Sequence, residues 1–380
     1  MLDVLLTGTV SFMISFLALP AIMKVAKEKK LYDLPDARKL HTKPIASLGG
    51  VGIFIGFFMA VFLTVNHQLN PEFRFFFAAA LVIFFLGLKD DILILSPKKK
   101  FLGQLAAAAI IIHLGGVRID SMHGFMDLGT LPTLVSYALS YVTIIVVVNA
   151  YNLIDGVDGL AGSLGVLTTV AFGGYFLVAG LPVYALLAFA MTGSLLAFLR
   201  FNFHPARIFM GDSGSLLLGL VNALLVIKFI NVADSAAVAW HLDSVVAIGF
   251  SILIVPLLDT LRVFSMRISN RRSPFSPDRN HIHHLLLDRG LNHRDVTLSC
   301  VGLNLAFIAM AYFGRTLGST VLIGLMVAIC FVLVGALLLL KKPAARLVIA
   351  SAFQHGTTET LVQPSTKVVS LKNEVAVAEQ

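Results

Sequence analysis

The chain has 380 residues, of which 57% are hydrophobic and only 13% are charged, and its mean hydropathy is +0.88. Soluble domains carry roughly 25% charged residues, so this apolar surface is too large for one water-soluble core. The composition therefore excludes an ordinary soluble protein and indicates a polytopic membrane protein. A net charge of +8 would suggest nucleic-acid binding in a soluble protein. Here the basic residues line loops between apolar segments, so we expect no nucleic-acid partner.

Eleven apolar segments approach the roughly 20 residues that a helix needs to cross about 30 Å of hydrocarbon. They are 3–24, 48–66, 73–88, 101–117, 131–148, 157–179, 182–199, 213–231, 244–265, 296–314 and 319–340. The first is too long and too poor in N-terminal charge for a cleaved signal peptide, so we keep it as a helix. The sequence thus predicts an all-α membrane bundle of about eleven transmembrane helices. Both cysteines, Cys300 and Cys330, lie inside apolar runs, which argues against a disulfide framework or a zinc site.

The basic residues predict the orientation of these helices. With the N-terminus outside, 25 of the 29 lysines and arginines fall on the cytoplasmic side, as the positive-inside rule demands. We therefore expect an external N-terminus and a cytoplasmic C-terminus. Residues 1–340 are predicted to form one transmembrane catalytic domain, and 341–380 a mobile cytoplasmic tail, because apolar periodicity ends there.

Four polar segments interrupt the apolar chain, and this topology places all of them at the cytoplasmic face. They are Lys89–Asp91, Asn149–Asp158, Asn202–Ser215 and Ser273–His284. Carboxylates, amides, lysines and histidines that meet at one membrane face are typical of an active site. A transporter would instead place its few charges near the midplane on broken helices.

The first segment joins two acidic residues to a lysine cluster. Asp90 and Asp91 end an apolar run, and Lys98, Lys99 and Lys100 follow one loop later. Carboxylates at a helix end can share a divalent cation and a phosphate group. The alternative interpretation is a charged inner loop that only sets topology, but carboxylates at a membrane edge are costly, which favours function.

The second segment places several polar side chains on one helix face. Asn149, Asn152 and Asp155 recur every third residue, and Asp158 continues the series with some drift. The spacing does not fit a calcium-binding loop. Asp-Gly pairs are also common turns, yet two such pairs with two amides at the end of a span favour a functional site.

The third segment resembles the start of a helix that binds an anion. Asp212 precedes Ser213-Gly214-Ser215 at the start of a span, where free backbone amides and a carboxylate for a metal would lie together. Phe209 could stack on a base, although a single Phe among 29 is usually a packing residue.

The fourth segment is rich in imidazole. Arg279, His281, His283 and His284 suit hydrogen bonding to phosphate or sugar hydroxyls, and the absence of cysteine here argues against zinc. The alternative is a basic loop that contacts anionic lipid headgroups.

In this order, the motifs resemble one family. They are DD near a lysine cluster, N-x-x-N-L-x-D-G-x-D-G-L, F-M-G-D-x-G-S and H-I-H-H. They are similar to those of the polyprenyl-phosphate N-acetylhexosamine-1-phosphate transferases, over roughly residues 1–340. The histidine segment looks like the branch that makes undecaprenyl-diphosphate-GlcNAc. It departs from the three consecutive histidines of the branch that transfers muramyl-pentapeptide. The aspartate signature of CDP-alcohol phosphotransferases, D-G-x-x-A-R, does not occur.

The resemblance implies a role for each matching residue. Asp212 would be a ligand of magnesium, with manganese as an alternative ion. The catalytic residues would be Asp90, Asp91, Asn152 and Asp155. The substrate would be bound by Lys98, Asn149, Asp158, Asn202, Phe209, Arg279, His281, His283 and His284. Among these, Phe209 would stack on uracil and Lys98 would contact the pyrophosphate, although three consecutive lysines leave its register open.

The implied reaction transfers GlcNAc-1-phosphate from UDP-GlcNAc to undecaprenyl phosphate, at the cytoplasmic face of a bacterial inner membrane. UDP-GlcNAc, undecaprenyl phosphate and membrane lipids are the expected partners, and the sequence leaves open whether the chain forms a homodimer. Alternatives are the same chemistry with GalNAc or MurNAc-pentapeptide, or a membrane transporter.

Overall fold

The structure is a computed structural model, which describes residues 2–33, 45–65, 73–93, 95–269, 271 and 281–339. Most of these residues lie in helices. The helices are α1 (Leu2–Glu28), α2 (Gly49–Thr64), α3 (Phe73–Leu93), α4 (Pro97–Ala109), α5 (Thr133–Ile154), α6 (Leu160–Val178), α7 (Pro182–Asn202), α8 (Gly211–Ala233), α9 (Val245–Ile252), α10 (Ile254–Ser269), α11 (Ile282–Leu287), α12 (His293–Phe313) and α13 (Ser319–Leu339). The prediction of an all-α membrane protein is confirmed. The predicted tail, 341–380, lies outside the described residues.

The remaining regular structure is small. A π-helical turn, Ile110–Leu114, continues α4, and a 3₁₀ turn, Arg315–Leu317, precedes α13. Two short antiparallel pairs join β1 (Tyr32–Asp33) to β2 (Ile45–Ala46) and β3 (Ser121–Phe125) to β4 (Leu128–Thr130). These strands connect helices and form no sheet that would change the fold class.

Each predicted apolar segment coincides with helical structure, but fewer helices qualify as spans. Among the described residues, seven helices are long and apolar enough to cross a membrane, or eight if α9 and α10 form one bent span. Helix α2 is apolar but has only 16 residues, and α3 carries Lys89, Asp90 and Asp91 near its end. By length and composition, seven or eight described helices therefore qualify as spans, and the predicted count of eleven is not confirmed.

Helix α8 lies at the centre of the bundle and is buried along most of its length. Helices α3 and α5 pack against it, while α1, α2 and α7 form an adjoining layer. Helix association in lipid depends on close packing of small residues, because lipid tails are as apolar as leucine. A side chain at Gly193 of α7 would collide with the backbone of Gly8 in α1, so these two helices approach closely there. The rigid centre places the first residues of α8 at one end of the bundle.

The α9–α10 pair is bent by 81° at Leu253. Such a break frees backbone groups that must find partners inside a membrane protein. Asn304 of α12, which is fully buried, supplies them. Its Oδ1 accepts a hydrogen bond from the Val255 N–H (3.2 Å), and its Nδ2 donates to the Ile252 carbonyl (3.0 Å). The bend brings α10 against α5 and α12.

Candidate active site

A cluster of oxygens surrounds the ammonium group of Lys100. The ammonium donates to the carboxylate of Asp212 and to the amide oxygen of Asn152 (3.1 Å), and it pairs with Asp90 at 3.3 Å. Asn152 also donates to the second Asp212 oxygen at 2.8 Å. These four residues come from α4, α8, α5 and α3 in turn. The structure thus brings three of the four predicted segments together at one end of α8.

The paired aspartates of α3 have different surroundings. Asp91 accepts hydrogen bonds from the backbone N–H groups of Asp212 (2.7 Å) and Ser213 (3.1 Å). The first N–H groups of a helix lack partners within it, so Asp91 acts as a cap for α8 from another helix. Gly87 makes this approach feasible, because a Cβ there would collide with the Asp212 backbone. Asp90 faces Lys100, while Asp91 holds the helix that carries Asp212.

Asn149 lies one turn before Asn152 and pairs with an amide that the sequence did not single out. Its Nδ2 donates to Gln104 Oε1 at 2.9 Å, and Gln104 Nε2 donates back at 3.3 Å. Gln104 is only 2% exposed. A buried amide pair of this kind satisfies both partners and fixes α4 against α5. Asn149 therefore supports the packing of the two helices that carry Lys100 and Asn152.

Asp155 follows the last residue of α5. Burial raises the pKa of its carboxyl to about 8, and the nearby charges of Asp212, Asp91 and Asp158 act in the same direction. A carboxyl group with this pKa is mostly protonated at neutral pH and can donate a hydrogen bond. Asp155 thus differs chemically from Asp90, whose carboxylate pairs with the Lys100 ammonium.

Asp158 links three segments of the chain. Its Oδ2 accepts from His204 Nδ1 (2.7 Å) and from the Ala206 N–H (3.1 Å), and His293 Nδ1 lies 3.4 Å from its Oδ1. The Asp158 N–H also donates to His293 Nδ1 at 3.3 Å. Burial raises the pKa of the Asp158 carboxyl, but its interactions with His293 and His204 outweigh burial and hold this pKa below its usual range.

One ligand atom from each of Asp158, His204 and His293 lies within 4.8 Å of the others, so the trio has the composition of a metal site. Two ligand atoms at about 2.1 Å from a tetrahedral zinc ion lie about 3.4 Å apart. The 2.7 Å between Asp158 and His204 is instead the length of a charge-assisted hydrogen bond. The trio is therefore a polar link between the α5–α6 loop, the α7–α8 loop and α12.

Asn202 and Phe209 flank the α7–α8 loop. Asn202 is buried; its Oδ1 accepts from the Gly159 N–H (2.9 Å) and its Nδ2 donates to the Ile208 carbonyl (2.8 Å). Phe209 is half-buried, and its N–H donates to the Ala46 carbonyl at 2.8 Å. These contacts fix the loop that leads into Asp212. Both residues were predicted to bind the nucleotide. Asn202 borders the Asp158 link through Gly159, whereas Phe209 bonds to Ala46.

The described part of the histidine segment is fixed by α10. Asp259, which lies outside the four polar segments, accepts from His281 Nδ1 at 2.8 Å. His283 is 1% exposed, and burial lowers its pKa to about 3. A Cβ at Gly156 would lie 2.6 Å from His283 Nε2, so His283 packs directly on the residue after Asp155. The fourth segment therefore meets the second, and His284 lies beside His283 with ring centroids 4.4 Å apart.

One predicted residue, Lys98, does not join the site in the described structure. Lys98 is exposed, and Lys100 is the lysine that reaches the carboxylates. Arg279 lies outside the described residues. The motifs found in the sequence do not include Gln104, His204, His293 or Asp259. Of these four, only Asp259 could have been found from the sequence, because it is a single carboxylate in an apolar helix, where a charge is costly.

The Lys100 cluster has the chemistry of a magnesium site. Magnesium takes oxygen ligands and commonly binds one or two carboxylates while it keeps several waters. Oxygens of Asp90, Asn152 and Asp212 converge on a single cationic group. The donor set therefore fits a hard divalent cation, and Asp212 is its most central carboxylate.

The fold and the site define a multi-pass membrane protein with a carboxylate- and lysine-lined polar site at one end of its bundle. The model of glycosyl transferase family 4 matches residues 73–230. The chain is 32% identical over 302 residues to a probable undecaprenyl-phosphate N-acetylglucosaminyl 1-phosphate transferase of Bacillus subtilis, covering 77% of this chain and 80% of that protein.

Two further relatives agree. A decaprenyl-phosphate N-acetylglucosaminephosphotransferase of Mycobacterium tuberculosis is 32% identical over 322 residues, covering 78% of each chain. An undecaprenyl-phosphate alpha-N-acetylglucosaminyl 1-phosphate transferase of Escherichia coli K12 is 29% identical over 290 residues, covering 74% of this chain and 76% of the relative. The chain belongs to glycosyl transferase family 4.

Proposed function

We propose that the protein transfers GlcNAc-1-phosphate from UDP-GlcNAc to undecaprenyl phosphate. The products are undecaprenyl-diphosphate-GlcNAc and UMP, and the reaction starts the synthesis of a cell-surface polysaccharide. The observation that carries this proposal is the convergence of Asp90, Asn152 and Asp212 on the Lys100 ammonium. The names of the relatives describe this transfer.

In the reaction, an oxygen of the lipid phosphate attacks the phosphorus that carries the sugar. A new phosphoanhydride forms, and the bond to UMP breaks. The second pKa of a phosphate monoester is about 6, so the attacking group is mostly a dianion at neutral pH. A strong general base is therefore unnecessary, and the main task of the protein is to position three phosphate groups and balance their charge.

The described residues are suited to that task. Lys100 supplies a positive charge at the cluster, and its contacts with Asp90 and Asn152 fix its position. Asp155, with a pKa of about 8, can donate a hydrogen bond without adding a negative charge near the phosphates. We propose that magnesium binds at Asp212, with Asp90 and Asn152 nearby. When bound, this ion would neutralise charge that develops on the departing UMP.

We further propose the location and topology of the enzyme. It would lie in the bacterial inner membrane with eleven crossings, an external N-terminus and the active site at the cytoplasmic face. A variant without Cys300 and Cys330 allows single cysteines to be placed at Ser96 and Asp127. In intact cells, an impermeant thiol reagent should label position 127 and not position 96. The reverse pattern would overturn the proposed orientation.

We also propose a domain boundary and an oligomeric state. Residues 1–340 would form the catalytic domain, so truncation after residue 340 should retain transfer activity. The enzyme would also work as a homodimer, which mass measurement of the detergent-solubilised protein tests directly.

The function is tested with purified protein, undecaprenyl phosphate and radiolabelled UDP-GlcNAc. Label should enter a butanol-extractable lipid, and parallel reactions with UDP-GalNAc should give little product. Because one phosphoanhydride replaces another, adding UMP to the lipid product should regenerate UDP-GlcNAc. Release of free sugar phosphate without a lipid product would contradict the proposal and indicate a hydrolase.

A further inference from the structure

Asp259 is a buried carboxylate in an apolar part of α10. Its side chain is 2% exposed, and a buried charge is costly unless hydrogen bonds compensate it. Its Oδ2 accepts from His281 Nδ1 at 2.8 Å, and its Oδ1 accepts from the backbone N–H of Ile282 at 2.8 Å. Arg262 Nη2 lies 3.4 Å from the same Oδ1. Asp259 is thus tied to the start of α11.

The two 2.8 Å bonds fix different parts of the same histidine. One holds the imidazole ring through Nδ1, and the other holds the peptide group that follows it, at the first residue of α11. A ring held at Nδ1 by a carboxylate carries its proton on that nitrogen. The tautomer and orientation of His281 are therefore set by Asp259, and Nε2 is left for another partner.

This arrangement is continuous with the candidate active site. The rings of His281 and His283 stack in parallel, with centroids 5.5 Å apart and planes 8° apart. His283 in turn packs on Gly156, directly after Asp155. A shift of α11 on α10 would therefore displace the histidines relative to the α5–α6 loop.

We propose that Asp259 is a positioning residue, which presents Nε2 of His281 to a phosphate group of the donor or acceptor. This inference rests on the proposed function. In the working state, His281 is an imidazolium that bridges two anions: Nδ1–H donates to Asp259 and Nε2–H donates to a phosphate oxygen. A neutral ring held at Nδ1 would instead direct a lone pair at the phosphate, which would be repulsive.

The first test measures protonation directly and does not depend on turnover. The ¹⁵N shifts of histidine side chains are recorded in wild-type protein in lipid bilayers, with His281→Ala used to assign the His281 signals. Nδ1 should be protonated without substrate, and both nitrogens should be protonated when UMP and magnesium are added. A His281 ring with an unprotonated Nδ1 would overturn the proposal, whatever the activity of the enzyme.

The second test uses the transfer reaction. Asp259→Asn replaces one acceptor oxygen with an NH₂ group, so one of the two bonds to α11 is lost together with the charge. Carboxylates that orient functional histidines typically contribute about 10- to 100-fold or more. We therefore expect kcat to fall by at least about tenfold. In a His281→Ala background, the same substitution should change kcat less than about twofold, since coupled residues are not additive. An equal loss in both backgrounds would show that Asp259 acts only on the fold.

Matched variants keep the test valid if Asp259→Asn does not accumulate. His281→Asn retains a donor near the Nδ1 position but lacks Nε2, so it should keep wild-type thermal stability and lose transfer. Wild-type turnover by this variant would overturn the role of Nε2. Asp120→Asn, at an exposed carboxylate beside Arg118, should leave transfer unchanged and controls for the loss of one negative charge. If the wild-type protein showed no transfer, the proposed function would be wrong, and the ¹⁵N shifts would still decide the positioning role of Asp259.

Discussion

The carboxylate of Asp91 accepts a 2.7 Å hydrogen bond from the backbone N–H of Asp212. An acidic residue of α3 therefore holds the start of α8, the helix that carries the central carboxylate of the site. A negative charge at a helix N-terminus also interacts favourably with the helix dipole. The adjacent residue, Asp90, faces Lys100 instead. Asp91 thus supports the start of α8, and Asp90 pairs with the positive charge of Lys100.

Asp91→Asn should lower both stability and activity. The amide can accept only one of the two hydrogen bonds from the start of α8, and an unsatisfied buried N–H costs about 1 to 3 kcal/mol. We expect a lower thermal unfolding temperature in detergent and a reduced transfer rate. Asp90→Asn should reduce the transfer rate with a smaller effect on unfolding, because Asp90 does not cap α8. Equal unfolding temperatures for the two variants would contradict this division of roles.

Asp212→Asn should weaken magnesium binding while the fold survives. The amide keeps the size of the side chain but removes the charge that a hard divalent cation prefers. Loss of a metal-centred site typically costs orders of magnitude in rate, so the magnesium concentration for half-maximal transfer should rise sharply. The measurement is transfer rate against magnesium concentration, with manganese in parallel.

The double variant with Asp90→Asn tests whether both carboxylates serve one cation. If they do, the two losses should be far from additive. If Asp212→Asn kept the wild-type rate at low magnesium, Asp212 would not be a magnesium ligand.

Lys100 should matter more than its two neighbours. Its ammonium lies between Asp90 and Asp212, whereas Lys98 and Lys99 are exposed. Lys100→Met keeps the aliphatic chain and removes the charge, and it should reduce kcat by about 100-fold or more, as expected for a group that neutralises phosphate charge. Lys98→Met is the matched control and should retain most of the activity. A larger loss for Lys98→Met would favour the pyrophosphate role that the sequence suggested for that residue.

The sequence predicted the position of the polar segments because charges are rare and costly in an apolar chain. It did not determine which lysine of three enters the site, since this depends on the start of α4 at Pro97. The sequence also did not determine the number of crossings, because the 16 apolar residues of α2 can form a short helix as well as a full span.

Long-range partners were the hardest to predict. His204 and His293 are single histidines in loop or helix-start positions, with no local pattern that points to Asp158. Gln104 is paired with Asn149 only because α4 and α5 pack side by side. Asp259 was visible as a charge in an apolar run, yet its partner lies 22 residues away in sequence. Such contacts follow from tertiary packing, which local periodicity does not encode.

The buried His283 should make stability depend on pH in a defined window. Burial lowers its pKa from an ordinary value of 6.5 to about 3. Between these values the unfolded chain binds a proton that the folded protein does not. The free energy of unfolding should therefore fall by up to about 1.4 kcal/mol for each pH unit below 6.5, and His283 should have no such effect above about pH 7.5.

The measurement is thermal unfolding of the detergent-solubilised protein from pH 7.5 to pH 5.5. His283→Gln removes the titrating group, so its unfolding temperature should fall less steeply with acidification than that of the wild type, whatever its absolute stability. His241→Gln alters an exposed histidine and should keep the wild-type slope. Parallel slopes for wild type and His283→Gln would mean that the folded protein accepts a proton at His283. In that case, the close packing of this ring on Gly156 would have to loosen at mildly acidic pH.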